Sequence, residues 1–204
     1  DIGKAVGFEV YWDSENGCVQ VESGKPYTGE EPAKDGAIKP TPQPEPTVPT
    51  NDADVDAMKQ DIIDRTNALR KENGVAVLRV NDKLMQAAQV RANEMAANTV
   101  YSHTRPDGRN FNTVTDCPYM AENIHRIATR YLSQHDVSLV EAAVDGWANS
   151  ETHLRNIRNE RLNAIGVGIA KGINAAGEES WYCVQLFLYD GCVISQVDIP
   201  IMNK

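Results

Sequence analysis

His103, Glu122, Asn123, Ser150 and His153 are the residues of this sequence whose types and spacing could do chemistry. His103 stands in SHTRPDGRNF, beside an arginine and just ahead of Pro106-Asp107-Gly108, which reads as a turn that orients the loop. Glu122 and Asn123 open an apolar run. Ser150 and His153 follow Trp147 and lie three apart, so on a short helix their side chains share a face. The polar groups can then converge. Serine, imidazole and carboxylate together are the set used in nucleophilic catalysis, with Ser150 as nucleophile, His153 as base and Glu122 as orienter. The local sequence favours a different use. A serine directly before a short helical segment is a preferred N-cap that spends its oxygen on a backbone N–H, and no G-x-S-x-G elbow surrounds Ser150. His125, within an alternating strand pattern, and His135, before a capping residue, read as surface or loop histidines. Arg105 and Arg109 are expected to pair with local carboxylates or carbonyls.

The elements that must position these groups show in the periodicity. Val55, Met58, Ile62 and Leu69 share one helical face, with Asn51 or Asp52 as cap and Asn73-Gly74 as stop. A second helix is predicted from about Asp82 to Asn98, with Asn81 as cap and Leu84, Ala87, Ala88 and Met95 inward. A third opens with the capping box Ser138-x-x-Glu141 and carries Val140, Ala143, Val144 and Trp147 as its stripe. Strands are predicted at AENIHRIA (121–128), AIGVGIAKG from 164 and WYCVQLFLY from 181. Helices and strands without a regular βαβ alternation imply an α+β sandwich with a central antiparallel sheet.

Before this region the composition changes twice. Val6, Phe8, Val10 and Trp12 alternate, Asn16-Gly17 marks a turn, and Cys18, Val19 and Val21 resume the pattern, which predicts a β-hairpin over 1–23. A proline-rich linker follows over 24–51, and the main domain occupies 52–204. An isolated hairpin is marginal in water, so this one is expected to dock on its own domain or to be exchanged with a second copy as a homodimer. The run AVGFEVYWDSENGCVQV resembles the closing repeat of the copper amine oxidase-like N-terminal domain, a module of secreted bacterial proteins, and implies no copper chemistry.

A formal net charge of −9 and a pI near 4.9 provide no attractive field for phosphate backbones, which argues against a nucleic-acid partner. No apolar run reaches the roughly 20 residues of a membrane span. The sequence opens on Asp1 without a signal-peptide pattern, and the natural N-terminus is expected to lie upstream. Cys18, Cys117, Cys183 and Cys192 match no metal-ligand spacing. Asp190-Gly191 reads as a two-residue hairpin turn, which leaves Cys183 too far along its strand to bond Cys192; Cys117 is the expected partner of one of them.

YSHTRPDGRNF, AENI, WANSETHLRNI, IGVGIA and WYCVQLF occur in the order and approximate spacing of the bacterial branch of the CAP superfamily, which the chain resembles over roughly residues 54 to 190. These are the cysteine-rich secretory, antigen 5 and pathogenesis-related proteins, also called SCP domains. The resemblance implies an α-β-α sandwich, an extracellular or cell-surface location, and a central cleft whose lining, by motif position, includes His103, Glu122 and His153. Eukaryotic members usually carry a glutamate three residues after the tryptophan, where this chain has Ser150.

Two imidazoles and a carboxylate suit Zn²⁺ or another divalent ion, with His103, His153 and Glu122 as ligands and water completing the set. Three functions fit these expectations. One is a secreted binding module whose cleft, lined also by Asn123 and Ser150, recognises a small molecule, a lipid or a cell-wall ligand. Another is a protease-like hydrolase in which a metal activates water and Glu122 is the general base. The third is a structural wall-associated protein with a vestigial cleft.

Overall fold

Phe8–Asp13 (β1) and Cys18–Ser23 (β2) pair antiparallel, Phe8 facing Ser23 and Asp13 facing Cys18, as their alternation predicts. The computed structural model describes residues 8–13, 18–23 and 52–200. The hairpin turn at Asn16-Gly17 and the linker over 24–51 lie outside the described residues. The chain divides into two units, Asp1–Gln43 and Pro44–Lys204, and each is taken by itself.

In the second unit Asp52–Glu72 forms α1 and buries Ile62 and Ile63. It stops where Gly74 turns left-handed (φ 73°), with Gly74 N–H donating to Lys71 O at 3.0 Å and Val75 N–H to Arg70 O at 2.9 Å. These are the two bonds of a Schellman motif. After the short strand Arg79–Val80 (β3), Asn81 accepts the Leu84 N–H at 3.0 Å and starts α2, Asp82–Ala97. A 3₁₀ turn at Phe111–Val114 precedes β4, Met120–Ala128. Two helices follow, α3 (Thr129–His135) and α4 (Leu139–Ala148), the second capped by Ser138 Oγ accepting from Glu141 N–H at 3.1 Å. Helix α5 is Glu151–Ile157, and β5 (Leu162–Ile173) and β6 (Glu179–Tyr189) complete the sheet.

The strand order is β3-β5-β6-β4, with β5–β6 and β6–β4 antiparallel. At the far edge β3 runs parallel to β5, so the sheet is antiparallel only across its three long strands. Two residues are too short to carry an alternation, and β3 therefore leaves no mark in the sequence pattern. One face packs Ile62, Ile63, Val140, Ala143, Trp147 and Ile157 of α1, α4 and α5 against Val167 and Phe187. The other packs Leu84, Ala87, Ala88 and Met95 of α2 against Val184 and Leu186. This is the α+β, α-β-α layering that the sequence implied.

Gly166 and Gly168 decide how closely α2 approaches. A Cβ at either position would run into α2 backbone, at Leu84 and at Ala88 respectively, so the G-x-G of IGVGIA lets the helix lie on β5 main chain. Farther along, Cys117 and Cys192 form a disulfide with Cα atoms 6.4 Å apart. Cys183 stays a free thiol inside β6, its pKa pushed up to about 12 by burial. The Asp190-Gly191 turn forms, with Gly191 at φ 81° and Cys192 N–H donating to Tyr189 O at 3.2 Å. No hairpin strand follows it. The chain instead crosses to the 3₁₀ turn, where Thr115 and Val197 form an isolated bridge and Asp116 holds Ser195 and Gln196.

Replacing Gly168 with Ala should therefore lower stability by about 1–3 kcal/mol, toward the upper end because the atoms met are backbone. Denaturant unfolding of the full chain measures it, and an unchanged midpoint would mean that α2 does not rest on β5 main chain.

Candidate functional site

Glu122 is fixed first. In β4 it faces the α2 layer, where its side chain is 0% exposed. A buried carboxylate must be paired, and Arg91 of α2, itself fully buried, donates Nε to Glu122 Oε1 at 2.9 Å. The same guanidinium reaches Glu94 Oε2 at 2.7 Å and Ser102 O at 2.8 Å. Glu94 takes Arg105 at 2.6 and 2.9 Å, and Arg105 continues to Asp198 Oδ2 at 2.8 Å, which also takes Arg109 at 2.6 Å. Charges alternate along the whole chain of contacts. Burial alone would lower the Arg105 pKa, but Glu94 and Asp198 raise it above the ordinary value. The two arginines hold the Asp198 carboxyl below its usual range.

The second oxygen of Glu122 meets His103 Nδ1 at 2.6 Å. With Nδ1–H donating to the carboxylate, the opposite nitrogen, Nε2, is the lone-pair side. His103 has 54% of its side chain exposed, so the pair runs from a buried anion to a solvent-facing imidazole.

On the other face of β4, Asn123 is 0% exposed and donates Nδ2 to His153 O at 3.2 Å and to Gln185 Oε1 at 3.0 Å. Asn156 donates to Asn123 Oδ1 at 2.9 Å and to Glu122 O at 3.3 Å. Gln185 in turn donates to Thr66 Oγ1 of α1 at 2.7 Å. This network fastens α5 to the sheet and thereby places His153. Asn123 is thus out of a ligand's reach and positions the helix instead. His153 is half-buried, and its Nδ1 is buried with no partner. Burial, and then the charge of His103, lowers its pKa.

Ser150 precedes α5, but its hydroxyl makes no cap bond and lies 3.1 Å from Thr152 Oγ1. Only its carbonyl serves the helix, accepting Leu154 N–H at 2.8 Å. The expected side-chain cap is absent, and the Ser150 hydroxyl pairs with the Thr152 hydroxyl instead. Neither Ser150 to His153 nor His153 to Glu122 is a hydrogen bond, so the triad geometry does not form. His125 is not a surface histidine. It packs edge-on to Trp147 (ring centroids 6.4 Å apart) in the place that a Cβ on Gly146 would fill. A glycine inside the α4 pattern was the signal of that close approach. His135 is exposed beside the Tyr131 ring, on a helix, α3, that the sequence pattern does not announce.

Arg91, Glu94 and Asp198 are the site residues that motif reading missed. Arg91 sits on the Leu84, Ala87, Ala88, Met95 stripe, and a charge at a core-facing position announces a buried partner. Among the described residues, no group of three His, Cys, Asp or Glu side chains is arranged to hold a metal ion, so His103, His153 and Glu122 do not form a ready three-ligand cage. Both oxygens of Glu122 are already engaged, which leaves the two imidazoles as the remaining nitrogen donors of the predicted set, with His153 Nδ1 itself buried and without a partner.

The CAP family, described as the cysteine-rich secretory protein family, matches residues 63–187. Protein YkwD of Bacillus subtilis (strain 168) is 27% identical over 114 residues, covering 56% of this chain and 43% of that protein. An extracellular SCP-domain protein of Bacillus anthracis (strain Ames) superposes with a TM-score of 0.54 at 24% identity, over 71% of this chain and 45% of that one. A cysteine-rich secretory protein of Staphylococcus aureus gives a TM-score of 0.47 at 18% identity, over 66% and 39%. The chain spans less than half the length of each of these three proteins. No helix among the described residues is long and apolar enough to cross a membrane.

Burial, and then the charge of His153, lowers the His125 pKa below its ordinary 6.5. The unfolded chain therefore binds a proton at His125 more readily than the fold does. The stability that neutral His125 contributes is complete above about pH 6.5 and is lost as the pH falls toward the lower folded value. Thermal unfolding from about pH 7 to about pH 5 should show a falling Tm, and His125→Gln should flatten that fall. An equally steep fall in the variant would assign the pH dependence to other groups.

Proposed function

The chain belongs to the CAP family of cysteine-rich secretory proteins, and from that premise we propose that it is an extracellular binding module whose recognition site is the cleft shared by His103 and His153. One observation carries the reading. The His103 imidazole is held through Nδ1 by a fully buried carboxylate while about half of its side chain, 54%, faces solvent, and His153, on the helix fastened to the next residue of β4, has a buried Nδ1 without a partner. A group held in this way is pre-organised, which reduces the ordering cost of binding. A divalent ion such as Zn²⁺, when bound, would supply a Lewis-acidic anchor for an oxygen or nitrogen of the ligand. The chain's own residues do the rest. Glu122 fixes the tautomer and ring orientation of His103, Arg91 keeps Glu122 paired, and Asn123 with Asn156 sets α5 and hence His153.

Hydrolysis with Glu122 as general base needs a carboxylate oxygen that a water molecule can reach. Both oxygens are spoken for inside the protein, so binding is supported better than turnover. The ligand is a small molecule, a lipid or a cell-envelope polymer that offers a metal- or imidazole-binding group.

Calorimetric titration of the full chain with Zn²⁺ tests the site. The wild type should take up one equivalent, His103→Ala and His153→Ala should each weaken uptake by at least roughly tenfold, and His135→Ala should not. Equal affinity in all four proteins would overturn the reading. The hairpin-exchanged dimer is a separate proposal. Deleting residues 1–24 should convert a dimer to a monomer in solution, and the same mass per particle with and without the hairpin would refute exchange.

A further inference from the structure

The loop that carries His103 is closed on itself by few bonds. Phe111 N–H donates to His103 O at 2.9 Å, Arg105 N–H to Arg109 O at 2.8 Å, and Thr104 and Asn110 form an isolated bridge. The loop is tied to the domain through Glu122 and Glu94, through Arg91 donating to Ser102 O at 2.8 Å and through Arg105 donating to Thr113 O at 3.0 Å, and a further tie comes from the other end of the sequence. Asp198 Oδ2 lies 2.8 Å from Arg105 and 2.6 Å from Arg109, so one carboxylate grips the loop at two points four residues apart.

Asp198 is itself firmly placed. Its N–H donates to Val114 O at 2.8 Å, and Val197 bridges Thr115. Two residues back, Asp116 Oδ1 accepts the N–H groups of Ser195 and Gln196 at 2.9 and 3.1 Å. The segment begins at Cys192, bonded to Cys117, which lies next to Asp116. A segment without regular secondary structure is thus fastened at its start by a covalent bond, along its middle by Asp116, and at its end by two guanidinium groups.

We propose that Cys192–Asp198 is a strap that positions the His103 loop, with Asp198 as the positioning residue and the Cys117–Cys192 disulfide as its anchor. This rests on the reading of His103 as a binding group. Without Asp198, Arg105 keeps Glu94, which it shares with Arg91, and Thr113 O at 3.0 Å just beyond its own loop, while Arg109 keeps Asp107. The loop then loses its tie to the strap, and the short His103–Glu122 contact loses its geometry. His153 stands outside this chain of contacts, because α5 is set by Asn123 and Asn156.

That asymmetry gives the test. The four histidines are few enough to follow singly in proton–nitrogen correlation spectra of the imidazole rings. In Asp198→Asn and Asp198→Ala the His103 signals should shift and the exchange of its Nδ1 proton should quicken, while His125, His135 and His153 stay in place. Reduction of the wild type by a small dithiol, which gives two cysteine thiols and a cyclic disulfide of the reagent, should move the same signals in the same direction. Lys171→Ala, which removes an exposed pair with Glu179, is the control for loss of a surface charge. Zn²⁺ uptake should weaken roughly tenfold in Asp198→Ala, as for a partner beyond the ligand shell. An unmoved His103 in both Asp198 variants overturns the strap, and so do four histidines shifting together in Asp198→Asn, the variant that keeps the side chain's shape. The ring signals need no ligand, so a wild type that fails to take up Zn²⁺ would sink the binding reading while the strap is still decided by His103.

Discussion

Everything near the cleft follows from a carboxylate buried in the second layer of a sheet. Removing an ion from water costs several kcal/mol unless partners replace the water, and the loss of one partner leaves the other charge stranded. Glu122 has two such partners, Arg91 and His103. Arg91 must then reach from α2 across to β4, which requires α2 to lie close on the sheet. The side-chain-free stretch of β5 at Gly166 and Gly168 allows this approach. The two glycines and the histidine site are therefore parts of one arrangement. Glycine in β5 sets the height of α2, α2 presents Arg91, Arg91 holds Glu122, and Glu122 orients His103.

The opposite layer solves a similar problem without any acid. Arg70, at the end of α1, is fully buried and donates to four main-chain carbonyls: Ala76 at 2.6 Å, Ile157 at 2.6 Å, Asn159 at 3.0 Å and Leu162 at 3.1 Å. Burial lowers its pKa, and five fixed donors make arginine the side chain able to satisfy several carbonyls of an irregular segment at once. The segment it holds joins α5 to β5, so Arg70 fixes the end of the helix that carries His153. One arginine in each helical layer thus locates one of the two histidines, the first through a carboxylate and the second through backbone.

The layers, the three long strands, the helix caps at Asn81 and Ser138 and the stop at Gly74 were all legible, because each depends on residues close together in sequence. So was the gathering of His103 and Glu122, once five motifs in order resembled a known family. The charge network was not. Asp198 lies 89 residues from Arg109, and no local pattern joins them. Arg91 was legible in principle, as a charge within an apolar stripe, but a stripe reading that counts only apolar residues passes over it. Ser150 shows the opposite failure. Its position fits a cap, yet its hydroxyl pairs with that of Thr152, two residues on, and makes no bond to the helix backbone.

The pleat of β4 explains why two neighbouring polar residues support groups in different layers. Consecutive residues of a strand point to opposite faces, so Glu122 belongs to the α2 side and Asn123 to the α1 and α5 side. β4 is also the last strand of its sheet, and groups from either layer can therefore meet around its edge. His103 comes to that edge from the loop after α2, held by Glu122, and His153 comes to it from α5, held by Asn123. The two supports meet in β4 itself, where Asn156 of α5 also donates to Glu122 O at 3.3 Å.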